Sequence, residues 1–323
     1  MARKYVFKID NLQLAIAQTI SPEIVNYPLS IDNRIFRFEK AMIRSRIAPT
    51  PSGYLHIGNA MNFVRTWLMV RRAGGKLRLR IDDIDAPRAK PEYIDDIFRT
   101  LEWMGLDWDE GPRTADEQTT QYSQALRVAR YNEVIAQLIN TGTVFACTCS
   151  RKDVETCTCK SKDLALDTAD SALRIITTEA PIMVDDIREG LQPVYLQNEM
   201  KDFVIRRKDG IAAYQVASLA DDVDYHINLI VRGRDLLSST AAQLYLAQLI
   251  GDDRFAKTTF YHHALLSDET GEKLSKSAGG YSLKAMCERD ITSEKLYIEL
   301  SKLMGLKEAC TSLQMMNNAD LFI

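Results

Sequence analysis

Three groups of residues in this 323-residue chain are of types that do chemistry. The first runs from Arg46 to Asn59, through Pro49, Pro51, Gly53, His56 and Gly58. Ile43 and Ile47 open a strand, and the two prolines stop it because proline has no N–H for a ladder. Gly53 lets the backbone bend and lets a ligand come close. A helix is expected to start near His56, with Phe63, Val64, Trp67 and Leu68 along one side. Strand, Gly/Pro turn and helix together aim N–H groups at a phosphate or carboxylate. The second group is Lys273-Leu274-Ser275-Lys276-Ser277. Two lysines three apart on a Gly-flanked loop can close over a triphosphate and neutralise departing pyrophosphate; the bland reading is a solvated basic loop. The third is Cys147-Thr148-Cys149 followed by Cys157-Thr158-Cys159. Two Cys-x-Cys pairs form a knuckle that suits one tetrahedral Zn²⁺. Reduced thiols without metal, or a redox pair, are the alternatives.

Two further positions stand where open α/β sheets bind ligands, at the carboxyl ends of strands. Asp82, Asp83 and Asp85 follow the apolar strand through Leu77, Leu79 and Ile81, although a solvated turn and helix cap would read the same way. Arg232 ends the buried strand Ile227 to Val231. Its guanidinium can pair bidentately with a carboxylate; an ion pair with Asp235 or Asp222 is the structural alternative.

His56-Ile57-Gly58-Asn59 resembles the "HIGH" signature of class I aminoacyl-tRNA synthetases, and the lead-in Arg46 to Gly53 resembles its glutamyl branch. Lys273 to Ser277 is similar to the "KMSKS" loop of that class, in the right order and more than two hundred residues on. Asp202 to Gly210, Ala213 to Ala217 and Asp221-Asp222 resemble the glutamyl branch almost word for word. The resemblance implies ATP-dependent activation of L-glutamate, with Mg²⁺ on the phosphates. It implies a glutamate site of Arg46, Ala48, Thr50, Asp82, Tyr214 and Arg232. It implies ATP contacts from His56, Gly58, Asn59, Lys273, Ser275 and Lys276, with His56 and Lys276 stabilising the transition state. Asp82 replaces a glutamate of the family and is shorter by one methylene, ~1.5 Å. Asn59 replaces the second signature histidine. Tyr214, read as part of a half-buried strand, could equally be core.

The family also implies a zinc element near the region that binds the tRNA acceptor end. Its third and fourth ligands are typically a tyrosine and a later cysteine, whereas this chain offers Cys147, Cys149, Cys157 and Cys159. Only 46 residues follow Ser277, few for an anticodon-binding domain. That resembles the truncated glutamyl-Q tRNA(Asp) group, whose partner is tRNA(Asp) carrying queuosine. A truncated paralogue serving another acceptor and a non-catalytic tRNA- or partner-binding pseudoenzyme are the competing readings.

The totals agree with such an enzyme. Hydrophobic residues make up 46% of the chain and its formal charge is −3, which disfavours indiscriminate nucleic-acid binding. No apolar run reaches the ~18 residues of a membrane span. Six cysteines do not form a disulfide framework. A cytoplasmic monomer is expected.

The fold expected is α/β, a Rossmann-type parallel sheet with helices on both faces, a zinc-containing insertion and a short helical C-terminal segment. Residues 1–42 read as an N-terminal extension, 43–142 as the first half of the catalytic domain and 143–200 as the insertion. Residues 201–280 read as the second half and 281–323 as the helical end. Helices are predicted from Pro91 to Met104, over roughly 120–141 with Leu126 on the apolar side, from Ser239 or Thr240 to Ile250, and from Thr292 to Met304. Strands are predicted at 203–207, at 212–218 and just after His262 and His263.

Overall fold

The computed structural model describes residues 42–85, 89–150, 152–265, 282–289 and 291–319. Strand β1 (Arg44–Ile47) leads through the Pro/Gly turn to helix α1 (Ile57–Arg72) and back to β2 (Lys76–Leu79), parallel to β1. Helix α2 (Pro91–Met104) has proline in its first turn, where no N–H is needed. It ends at Gly105, whose φ of 69° is a left-handed cap.

Two strands later in the chain extend this unit. β8 (Leu229–Gly233) pairs in parallel with β9 (Thr259–His263) and lies beside β1. The seam between β1 and β8 is stitched by Asn228. Its backbone N–H donates to Arg44 O at 2.9 Å, and its side-chain carbonyl accepts from Arg44 N at 2.7 Å. Ser45 Oγ adds a bond to Leu229 O at 2.7 Å. From β1 the chain moves one way to β2; from β8 it moves the other way to β9. The strand order therefore switches between β1 and β8, where such sheets open a ligand crevice.

Both faces of β8 and β9 are buried, as expected of parallel strands. Leu229, Val231 and Tyr261 join one core, with α1, α2 and the C-terminal helices α6 (Leu283–Glu288), α7 (Ser293–Leu303) and α8 (Leu313–Asn318). Ile230 and Phe260 join a second core, with α3 (Val128–Asn140), α4 (Tyr214–Asp224) and α5 (Leu237–Leu249). Strands β1 and β2 are different. Ile43, Ile47, Leu77, Leu79 and Ile81 face the first core. The alternate positions Arg44, Arg46, Arg78 and Arg80 face away from it, as the period of two requires. These arginines meet the acidic end of α4 and Glu110. Arg46 and Arg80 both pair with Asp222, at 2.9 and 2.8 Å. Arg44 and Arg78 share Glu110, at 2.6 and 2.9 Å.

Residues 143–200 divide between two sheets. β3 (Val144–Cys147) and β4 (Ala172–Ile175) form a three-stranded antiparallel sheet with β7 (Val204–Arg206). The hairpin β5 (Ile182–Asp186) and β6 (Gly190–Val194) instead joins the main sheet beside β9, in parallel at Asp186 and Phe260.

Several expectations are corrected. Residues 212–218 are not a strand: α4 starts at Tyr214 and buries Val216, Ala217, Leu219, Ala220 and Val223 at helical spacing. The helix expected from about 120 begins at Val128, preceded by single turns, and Leu126 is 58% exposed. The reason is Asp83, whose carboxylate accepts from Gln118 Nε2 and Gln124 N, both at 2.8 Å, and holds that stretch out of a regular helix. Helix α5 starts at Leu237, so Ser239 and Thr240 lie inside its first turn rather than capping it. His262 and His263 are the last residues of β9 and do not precede a strand. Among the described residues the C-terminal part contributes three helices where one was expected.

Removing the carboxylate of Asp222 leaves Arg46 and Arg80 buried without their shared partner. Asp222→Ala is expected to destabilise the fold by about 3–5 kcal/mol, read from denaturant midpoints. Burial opposes ionisation of Asp222, but Arg46, Arg80 and Arg232 outweigh it and hold its carboxyl below the ordinary value. Its contribution is therefore complete above the unfolded-state pKa and disappears as pH falls through the folded one, so the two proteins should converge in acid.

Candidate functional site

The crevice at the switch point is a cleft of about 450 Å³. The turn after β1 lines it with Ala48, Pro49, Thr50, Gly53 and Tyr54. Asp82 comes from the end of β2, Arg232 and Gly233 from the end of β8, and His263 and Leu265 from β9 and beyond. Tyr214, the first residue of α4, lines it from another side.

His56 is the N-cap of α1 and also lines the cleft. Its backbone N–H donates to Asn59 Oδ1 at 3.0 Å, and its Nδ1 accepts from Asn59 N at 3.3 Å. This reciprocal capping box satisfies two otherwise orphaned groups. It also sets the ring's protonation: with Nδ1 accepting, the proton of neutral His56 is on Nε2. Asn59 thus has a definite task in place of the expected histidine. Gly58 leaves room for this ring, because a Cβ there would lie 3.0 Å from His56 Nδ1 and the imidazole would have to shift. The first turn of α1 holds no acidic residue, so its positive end is left for an anion.

Asp82 is 6% exposed, and both its oxygens accept from Arg80, at 2.6 and 3.1 Å. Burial pushes its carboxyl above the ordinary range, against the pull of Arg80. Two guanidinium N–H groups directed at its two oxygens are the geometry of a carboxylate. Asp85 pairs with Arg207 at 2.9 Å. Arg46 does not line the cleft, since its Nε is committed to Asp222. The remaining residues of the expected glutamate site, Ala48, Thr50, Asp82, Tyr214 and Arg232, do line it.

Arg232 is 3% exposed. Its Nη1 donates to Thr240 Oγ1 at 3.2 Å and to Gln243 Oε1 at 3.0 Å. Its Nε and Nη2 have no hydrogen-bond partner among the described residues. Burial lowers its basicity, Tyr214 opposes that and the nearby Arg46 adds to it. Of the neighbouring arginines, Arg46 and Arg80 are paired with Asp222, and Arg80 also with Asp82, while Asp235 lines the cleft beside Arg232. A buried guanidinium with an open edge is a costly feature unless an anion completes it.

Lys273, Ser275 and Lys276 lie outside the described residues. The described residues on either side reach the cleft. Leu265 lines it, and Ser282 forms an antiparallel bridge with His56, backed by Leu283 N–H to Leu55 O at 2.8 Å.

Residues Arg80, Asp222, His262, Thr240 and Gln243 support the site and were not assigned to it from sequence. The repeat Arg44-x-Arg46 and Arg78-x-Arg80, in strands otherwise apolar, was the available signal for the buried charges.

Away from the cleft, Cys147, Cys149, Cys157 and Cys159 place all four Sγ atoms within 4.8 Å of one another. Cys147 and Cys157 stand 3.6 Å apart, as do Cys149 and Cys159. A tetrahedral ion with metal–sulfur bonds of ~2.3 Å needs sulfurs ~3.8 Å apart, so the donor set fits Zn²⁺ in number, type and spacing. Lys208 Nζ donates to Thr148 O at 2.7 Å and ties this knuckle to the β7 turn.

Comparison with known proteins follows the same lines. The chain matches the model for the catalytic domain of class I tRNA synthetases (E and Q) over residues 42–180 and 167–321. It is 36% identical over 286 residues to the glutamyl-Q tRNA(Asp) synthetase of Nitratidesulfovibrio vulgaris, covering 82% of this chain and 87% of that protein. It is 39% identical over 236 residues to the glutamyl-Q tRNA(Asp) synthetase of Ectopseudomonas mendocina, covering 72% and 76%. Among solved structures, the glutamate–tRNA synthetase of Elizabethkingia anophelis shares the fold, with a TM-score of 0.71 at 22% identity over 87% of this chain and 66% of that one. A glutamate tRNA ligase of Elizabethkingia meningosepticum, solved with its amino acid, aligns with a TM-score of 0.58 at 24% identity over 70% of this chain, which spans half of it. Among the described residues no helix is long and apolar enough to cross a membrane.

Protein purified without chelator is expected to carry about one Zn²⁺ per chain by elemental analysis, and Cys157→Ser to lower that content. Zinc-free wild-type protein would refute the assignment.

Proposed function

Because the chain belongs to the class I tRNA synthetases of the glutamyl and glutaminyl type, we propose that it activates L-glutamate with ATP and passes it to the queuosine base of tRNA(Asp). The observation that supports glutamate is Arg232, a buried guanidinium at the cleft with Nε and Nη2 unpartnered among the described residues. Those two N–H groups lie on one edge of the guanidinium and match a carboxylate bidentately. A glutamine side chain would turn an N–H₂ toward the same donors, so the edge favours the acid over the amide. Asp82 and Tyr214 complete the amino-acid site, with Asp82 facing the ammonium group. Arg46 acts at one remove, by fixing Asp222 behind Arg80 and Arg232.

ATP enters as its Mg²⁺ complex, the ion sharing the phosphate charge. The α-carboxylate of glutamate attacks the α-phosphorus in line, the bond to the β-phosphate oxygen breaks and pyrophosphate leaves. His56 donates from Nε2 toward the α-phosphate, beside the N–H groups that open α1. Lys276 and Lys273, on the segment between Leu265 and Ser282, neutralise the outer phosphates. No side-chain nucleophile is used; positioning and charge stabilisation lower the barrier. A hydroxyl of the queuosine base then attacks the acyl carbon, and AMP leaves. The four cysteines hold a structural Zn²⁺ that orders the knuckle and takes no part in these steps. The queuosine acceptor rests on the names of relatives that match over 72% or more of this chain.

Glutamate-dependent exchange of pyrophosphate into ATP tests the first step, and labelling of tRNA(Asp) with and without queuosine tests the second. Arg232→Ala should lower kcat/KM for glutamate in exchange by about a hundredfold or more, the consequence of breaking a buried charge pair. Absence of exchange with every amino acid tested would favour the pseudoenzyme. Exchange with glutamate but equal labelling of queuosine-free tRNA would favour another acceptor.

A further inference from the structure

Behind Arg232 lies a buried chain of polar groups that the activation chemistry does not use. Asp186, the last residue of β5, is 1% exposed. Its Oδ1 accepts from the N–H groups of Arg188 and Glu189, at 2.8 and 2.9 Å. Its Oδ2 accepts from His262 N at 2.8 Å and stands 2.7 Å from His262 Nδ1. The opposite ring atom, His262 Nε2, stands 2.8 Å from Thr240 Oγ1. Thr240 Oγ1 in turn receives Arg232 Nη1. His262 is 2% exposed and Thr240 is fully buried.

The Thr240 hydroxyl also lies 3.2 Å from Leu236 O, but with a neutral His262 one assignment satisfies the chain from end to end, the hydroxyl proton going to the nearer Nε2. The carboxylate of Asp186 accepts the Nδ1 proton of a neutral His262. Nε2 is then an acceptor and takes the hydroxyl proton of Thr240. The threonine oxygen keeps its lone pairs for the Arg232 N–H. Every bond then points the same way, from guanidinium to carboxylate, so each polarises the next. Burial favours the neutral imidazole, which agrees with this order.

The geometry points to a positioning relay, Asp186–His262–Thr240, that determines specificity by fixing which edge of Arg232 is offered to the substrate. Thr240 and Gln243 both occupy Nη1. That leaves Nε and Nη2, the two donors that lie side by side. Without the relay only Gln243 holds Nη1, and the plane of the guanidinium is less firmly fixed. The relay also links the β5–β6 hairpin to the amino-acid site, because Asp186 is the residue through which β5 pairs with β9.

This inference rests on the reading of Arg232 as the glutamate side-chain ligand, and the experiment separates the two. Pyrophosphate exchange is measured with L-glutamate, L-glutamine and ATP for the wild type, Thr240→Val, Thr240→Ala, Thr240→Ser and Asp186→Asn. The valine and alanine variants remove the hydroxyl; serine keeps it. KM for glutamate should rise about tenfold or more in Thr240→Val, as the loss of a hydrogen bond to a charged group predicts. KM for ATP should stay near the wild-type value. The preference for glutamate over glutamine should shrink, and Thr240→Ser should recover most of both losses. Asp186→Asn should give a smaller change of the same pattern. Should Thr240→Val fail to fold, Thr240→Ala in the same helix position decides. A glutamate KM in the hydroxyl-free variants within about twofold of wild type would overturn the relay. So would a parallel loss in glutamate KM, ATP KM and kcat that serine does not recover. A wild type in which glutamate does not support exchange overturns instead the reading of Arg232 itself.

Discussion

The structure depends on a buried meeting of opposite charges between two elements that could not be formed separately. Strands β1 and β2 present arginines on one face, and α4 ends in Asp221, Asp222 and Asp224. Acidic residues at a helix C-terminus oppose the helix dipole, and arginines on the buried face of a strand are costly to desolvate. Each surface is unfavourable alone. Together they form a network in which Arg46 and Arg80 share Asp222, while Arg127 joins Asp221 to Asp224 at 2.7 Å each. Tyr131 and Gln124 bond to Asp221 from the same side. This network holds β1, β2 and the C-terminal end of α4 in one arrangement. The cleft lies beyond the carboxyl ends of these strands.

The same network explains why the floor of the cleft is suited to an acid. Arg46 and Arg80 are each bonded to carboxylates, whereas Arg232 is held at Nη1 by the neutral groups of Thr240 and Gln243, and its other edge has no hydrogen-bond partner among the described residues. A site built this way does not have to attract its ligand through a mobile side chain; the charge is already placed and already stripped of water. On the proposed reading, selection against the neutral amide rests on the number and direction of donors, not on size.

Much of this was legible in the sequence where a local signal and the tertiary environment agree. Pro91 and Gly105 bracket α2 because their backbone restrictions hold in any context. The short, β-branched run Ile227 to Val231 reads as a buried strand, and the arginine that follows it lines the cleft. The errors arose where local and tertiary demands diverge. Ala212 to Ser218 alternates enough to suggest a strand, yet the longer apolar spacing through Val223 makes it a helix. The helix expected from about 120 was undone by a single carboxylate, Asp83, reaching from a distant loop. Arg46 carries a charge of the right sign for the substrate, but which carboxylate it meets is decided by α4, some 176 residues away in sequence. His262 gives no sign of its role in sequence, because its partners come from β5 and α5.

The junction of β1 and β8 has a mechanical side. On either side of it the strands are joined by regular ladders, but across it Asn228 and Ser45 supply the bonds, a side chain doing part of what backbone does elsewhere. A sheet jointed in this way yields first along that line. Small sliding of the two halves would widen or narrow the gap between Asp82 and Arg232 while leaving each half internally intact. The line along which the sheet has the fewest backbone bonds is thus also the line along which the cleft opens.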